Sequence, residues 1–127
     1  MPSEEYNVYI TEPKIQRGAY LEALHDDFEG FRVILHSPSQ KQRYRVSFDD
    51  VFFYLVSDEG KRLRLGQSFI KQESVIYKAD KSAFLDWSFS ENLEIVPKDK
   101  WNHYLILAAD DIIEVISSSA PKIRTLP

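Results

Sequence analysis

"HYLILAADDIIEVIS", residues 103–117, decides the fold of this chain. An apolar run meets two aspartates, and a second apolar run carries one glutamate. As a helix, the second half has Asp110 as N-cap and Glu114 one turn later. As strands, the stretch turns at Asp110–Asp111 and points Ile113 and Val115 inward. Ile112, Ile113, Val115 and Ile116 are β-branched. Such side chains lose χ1 freedom in a helix and fit a pleated surface, which favours the strand reading. His103, Asp110, Asp111 and Glu114 are also acid–base and metal-ligating residue types. Strand alternation sends the two aspartates to opposite faces and leaves His103 a whole strand away from them. The stretch is therefore read as two core strands around a turn, whose acids keep one functional option, contact with a partner.

Working outward, "RYRVSFDD" alternates, with Tyr44, Val46 and Phe48 on one face and Arg43, Arg45 and Ser47 on the other. With "FRVILHS" (31–37) and the turn "PSQKQ" it predicts an antiparallel hairpin. "VFFYLVSDEG" (51–60) is apolar on both faces and is expected to be a central strand ending in a turn at Gly60. "RLRLG" (62–66) is expected to continue as a short strand, with no reading for the connection that follows. "SVIYKA" predicts a strand, and Asp80 an N-cap for a helix over "KSAFLDWSF". Phe84, Leu85, Trp87 and Phe89 give that helix a broad apolar stripe to lay on a sheet.

Near the start, Tyr6, Val8 and Ile10 alternate as a first strand, for which Pro13 marks either an edge position or the strand's end. Leu21, Leu24 and Phe28 stand at helical spacing among good helix formers, so a short helix is expected over 19–27, stopped by Gly30. Residues 93–96 read as an edge strand stopped by Pro97. The tail 119–127, with Pro121 and Pro127, reads as low in regular structure. The sum is a single α+β domain over 1–127. It is expected to be mainly an antiparallel sheet of five to seven strands with one or two short helices packed on it.

Composition narrows the functional classes. A chain of 127 residues with 43% apolar and 13% aromatic content is globular. With no cysteine there are no disulfides and no thiolate metal sites. "MPSEEYNVYI" has neither a basic n-region nor a long apolar stretch, so no signal peptide is expected. No apolar run approaches the roughly 20 residues of a membrane span. A cytoplasmic protein with no membrane role is the expectation. Net charge is −4, which argues against gripping nucleic acid by its phosphates. Residues 1–60 hold eleven acids and six bases, whereas 61–127 hold nine acids and ten bases. The acidic surplus is densest at Glu22, Asp26, Asp27 and Glu29, either a solvated face or a surface that attracts a basic partner.

Chemistry is sparse. "GQSFI" (66–70) lacks the second glycine of a nucleophile elbow, and four glycines in all leave no phosphate cradle. His25, His36 and His103 have no zinc-ligand spacing. The pairs Asp49–Asp50, Asp58–Glu59 and Asp110–Asp111 each follow an apolar strand. Aspartate is common there because its side chain caps backbone N–H groups, and a metal site would need two such turns to meet. Trp87, Trp101, Tyr54 and Tyr104 are of a type that can line a pocket but more commonly packs a core or anchors an interface. Lys61, Arg62, Arg64, Arg43 and Arg45 form a basic stripe or a solvated face. No cofactor is expected.

Three segments together, "FEGFRVILHS…RYRVSFDDVFFYLVSDE", "VIYKADKSAFLDWSFSE" and "HYLILAADDIIEVISSSAPKI", resemble a group of small bacterial proteins. Some of that group sit beside polymorphic or contact-dependent toxins and look like immunity proteins. The resemblance spans about residues 28–123 and rests on aromatic and aliphatic patterning with the "DE", "FLDW" and "DDIIEV" signatures. Members of that group often carry an arginine where this chain has Leu55, a departure that weakens any role the resemblance would assign to that position. The resemblance implies a non-enzymatic binding module that neutralises a cognate, basic toxin domain encoded nearby. Its acids would then be the contact surface: Glu22, Asp26, Asp27 and Glu29 first, and the turns at Asp58–Glu59 and Asp110–Asp111 second. Two rivals stay open: a carboxylate-dependent hydrolase or metal-dependent nuclease, and a homo-oligomeric assembly module that pairs strand edges.

Overall fold

Alternating side chains turn nearly half of this chain into strands, and each strand's apolar side meets a neighbouring layer. The computed structural model describes residues 5–62, 65, 73–93 and 95–127. Among these, nine strands build two antiparallel sheets, joined by one α-helix and two single turns of 3-10 helix. Strands β1 (Glu5–Val8), β5 (Val51–Asp58), β6 (Ile76–Lys81), β7 (Asn102–Leu107) and β8 (Asp111–Ser117) form a five-stranded sheet in the order β1-β6-β7-β8-β5. Strands β2 (Tyr20–Asp27), β3 (Gly30–Ser37), β4 (Gln42–Phe48) and β9 (Lys122–Leu126) form a four-stranded sheet in that order. The sequence predicts the antiparallel sheet and the short helix. The division into two sheets is a feature of the structure.

The two sheets close on one core. Tyr104, Ile106, Ile113 and Val115 of β7 and β8 pack with Val33, Leu35, Val46 and Phe48 of β3 and β4. The alternate residues of β7 and β8 face the other way. There Leu85 of the helix α1 (Ala83–Glu91) packs with Trp101 and Ile116 against Phe52, Phe53, Phe84 and Phe89. The order of layers is thus helix, five-stranded sheet, four-stranded sheet. The strand reading of residues 111–117 holds, as do the hairpin of β3 with β4 and the helix over 83–91.

Several expectations are corrected. Residues 20–27 are strand β2, not helix. A bulge between Leu21 and Ala23 inserts Glu22 into the pairing with β3. That extra residue returns Leu24 to the same face as Leu21, and both pack on the core. Helical spacing and a bulged strand leave the same signature. Gly30 follows a two-residue turn at φ +104°, a conformation that suits glycine, so it shapes a hairpin and not a helix end. Strand β5 is an edge, not central. Both its faces are apolar because layers lie on each side: Phe53 meets Trp87 at 5.3 Å and Tyr54 meets Phe31 at 4.8 Å between ring centres.

The cap of α1 is Ser82, whose Oγ accepts the Leu85 N–H at 3.0 Å, while Asp80 still belongs to β6 and its carboxylate accepts from the Asn7 amide. The turn between β7 and β8 is Ala108–Asp110, and Asp111 is already paired with Asp58. Leu93, Ile95 and Val96 form no strand. The tail does form one: Ile123 faces the core from β9, and Pro121 and Pro127 flank the strand without entering it. The expected strand at 62–66 and the connection after it lie largely outside the described residues.

Candidate functional site

Among the described residues, the five-stranded sheet has one long unpaired edge. Every sheet edge presents unpaired N–H and C=O groups, and proteins usually blunt it with charge, proline, a bulge or shortness. Strand β1 has four residues. Strand β2 has its bulge with Glu22, Asp26 and Asp27. Strand β9 is short, basic and flanked by prolines. Strand β5 has eight residues, and its only charge is the terminal Asp58. Along its middle Tyr54, Leu55 and Val56 stand 41%, 42% and 40% exposed. The bulge of β5 lies at its start, between Val51 and Phe53, outside this run.

Acids gather at the far end of β5. Asp58 pairs in register with Asp111, and the Glu59 N–H donates to the Asp110 carbonyl at 2.9 Å. Asp58, Glu59, Asp110 and Asp111, named from sequence as two separate turns, therefore meet at one place. Asp58 Oδ1 accepts the Gly60 N–H at 2.7 Å. None of the four carboxylates has an ion-pair partner among the described residues.

The other acids of the sequence reading are spent differently. Glu22 pairs with Arg43 at 2.9 Å, Asp27 with Arg32 at 2.8 Å, and Glu29 approaches Arg32 at 3.6 Å. The hydrogen bonds from Arg43 and Arg32 hold the Glu22 and Asp27 carboxyls below their usual range. Asp26 is exposed on the same strand. Arginines across the sheet compensate much of this cluster's charge.

Behind β5 runs a buried polar chain that sequence reasoning missed. Glu114 faces the helix side of β8, opposite Leu55 on one neighbour and Leu105 on the other. Its side chain is 2% exposed, with His103 at 0%. Arg62 Nη1 donates to Glu114 Oε2 at 2.8 Å and to Ser57 Oγ at 3.0 Å. His103 Nε2 lies 3.2 Å from Glu114 Oε1, but its N–H is not aligned on that oxygen, so the contact is close without being a well-formed hydrogen bond. On the other side His103 Nδ1 meets Ser82 Oγ at 2.7 Å. Ser82 Oγ also accepts the Leu85 N–H, so one buried hydroxyl serves both the helix cap and the imidazole.

Burial raises the Glu114 carboxyl, but His103 and Arg62 outweigh it and hold the group below its usual range. Ser82, His103 and Glu114 repeat the residue types of a hydrolytic triad. Here the serine caps a helix under cover, with Phe84 edge-on to the imidazole at 5.4 Å. What the chain does mechanically is anchor β5 and its acidic turn, because Arg62 ties the segment after β5 to β8. The signal available in the sequence was the single Glu114 inside an otherwise apolar run, two residues off the register partner of His103.

Among the described residues there is no cluster of three or more potential metal ligands, and no helix is long and apolar enough to cross a membrane. No family model, curated protein or solved structure matches the chain.

Proposed function

We propose that this protein is a non-enzymatic binding module of the immunity type, which neutralises a basic toxin domain by pairing with it along β5. The carrying observation is that, among the described residues, the β5 edge is unpaired and carries Tyr54, Leu55 and Val56 exposed beside four acids with no ion-pair partner. An extended segment of the partner adds as a further strand, so backbone hydrogen bonds give affinity and the apolar side chains give specificity. The acidic end at Asp58, Glu59, Asp110 and Asp111 steers a basic partner to that edge and speeds association at low salt. The resemblance over residues 28–123 supports the toxin-directed form of this reading. Leu55, where members of the group it resembles often have arginine, keeps the edge apolar in this chain.

The test is co-purification with the product of the adjacent reading frame and protection of cells from it. Leu55→Lys places the usual edge-blunting charge in mid-strand and should abolish both. Neutralising the four acids should slow association and remove its salt dependence. A neighbour that neither harms cells nor binds, or a Leu55→Lys protein that binds as well as the native one, overturns the reading.

One observation favours a second reading. Two β5 strands related by a two-fold axis at Leu55 would place Asp58 opposite Phe52, with no like charges facing. A homodimer through this edge would appear in light scattering and would dissociate in Leu55→Lys.

A further inference from the structure

We propose that the outer face of the four-stranded sheet is a second docking surface, which takes a carboxylate of an acidic peptide segment between Arg45 and Arg124. Its observations are independent of the β5 edge. Arg45 of β4 and Arg124 of β9 are register partners, so both side chains leave the same face of the sheet. Like charges directly opposite destabilise an antiparallel pair. This chain has a net charge of −4 and acids enough to compensate them. The other cations of the face are compensated: Arg32 by Asp27 and Glu29, Arg43 by Glu22, and Lys122 by Asp49. Arg45 and Arg124 have no such partner among the described residues.

A concavity of about 340 Å³ opens beside Arg45, with Ser47 and Arg32 on its wall and Phe28 at its rim. Phe28, in the turn between β2 and β3, is fully exposed. Glu29 and Asp49 also line it, and each is already held by a cation. Two uncommitted guanidinium forks fit a carboxylate in bidentate fashion. The Ser47 hydroxyl adds a donor, and Phe28 an apolar wall for the residue next to the acid. A nucleic acid fits less well. The net negative charge repels a long polyanion, and one exposed aromatic ring offers no run of stacking platforms.

The experiment titrates the 15N-labelled full chain at low salt with three probes. These are a synthetic Asp/Glu-rich peptide containing one Phe, inorganic phosphate, and a single-stranded DNA oligomer of equal charge. The expected result is saturable peptide binding, with shifts centred on Arg45, Ser47 and Arg124. Affinity should fall by about tenfold in Arg45→Gln/Arg124→Gln, as for loss of a charge-assisted contact. The double variant should melt no lower than the native chain, because like charges have been removed. If it does not fold, Arg124→Gln alone, on the edge strand, gives the same readout with a smaller fall. Leu55→Lys should bind the peptide normally, which separates this surface from β5. Absence of peptide shifts on this face, undiminished binding by the Arg variants, loss of binding in Leu55→Lys, a response to phosphate alone, or tighter binding of the DNA would each overturn the proposal.

Discussion

Glu114→Ala tests whether the buried chain holds β5 in place. The carboxylate is nearly inaccessible and serves two cations or donors, Arg62 at 2.8 Å and His103 at 3.2 Å. Removing one member of a buried pair costs about 3–5 kcal/mol, because the remaining charge is left uncompensated. Arg62 is 28% exposed and can rehydrate, so the lower end applies, about 3 kcal/mol. With an unfolding entropy of roughly 2.1 cal/mol/K per residue, 127 residues give about 0.27 kcal/mol/K, and the melting temperature should fall by about 11 °C. Urea and thermal unfolding followed by circular dichroism at pH 7 read both quantities. The pH dependence has a definite sign. The folded carboxyl lies below its unfolded value, so its contribution is complete above roughly pH 4.3 and is lost as pH falls through the folded value. Glu114→Gln carries no such charge, and its stability gap to the native chain should close in acid. A gap that stays constant from neutral to acid pH, or a loss in Glu114→Ala below about 1 kcal/mol, would refute the role given to this carboxylate.

Ser82→Ala removes the cap of α1 and the partner of His103 Nδ1 together. The expected loss is about 2–3 kcal/mol, from roughly 1 for the cap and the rest for a buried ring nitrogen left unpaired, measured by urea unfolding. Trp101 packs with Phe52, Phe53 and Phe89, yet its buried Nε1 has no hydrogen-bond partner among the described residues. Trp101→Phe should therefore stay within about 1 kcal/mol of the native chain while Trp101→Ala loses about 3–5, a contrast that equal losses would contradict. Gly30→Ala should cost about 1–2 kcal/mol through backbone strain alone, since no atom lies within 4 Å of the added Cβ. Gly30→Asn should cost less than Gly30→Ala in the same denaturation assay.

Within the candidate site, the sequence located each acid of the β5 end but as two turns apart. Their meeting depends on β5 pairing with β8 in one register, and a strand's own alternation does not contain its neighbour. The same limit hid the buried chain. His103 and Glu114 stand out in sequence as residue types but not as neighbours of each other or of Ser82, because the three come from a helix cap and from two strands, and only cross-strand pairing brings them together. The misreading of residues 20–27 has a different origin: the bulge at Glu22 changes a period of two into a spacing of three, which imitates a helix turn.

The sequence by itself determined the elements in which one local period dominates. The alternation in β4, the β-branched run of β8 and the aromatic stripe of α1 each follow from side-chain shape and from the need to bury one side. It also determined the charge balance and the absence of thiol chemistry. Tertiary structure decided which strands are edges, which acids are compensated and which arginines are not. Apolarity on both faces records layers above and below a strand, as in β5, and is silent about lateral neighbours. That lateral relation comes from hydrogen-bond pairing between distant segments, and it is what leaves Tyr54, Leu55 and Val56 on an open edge.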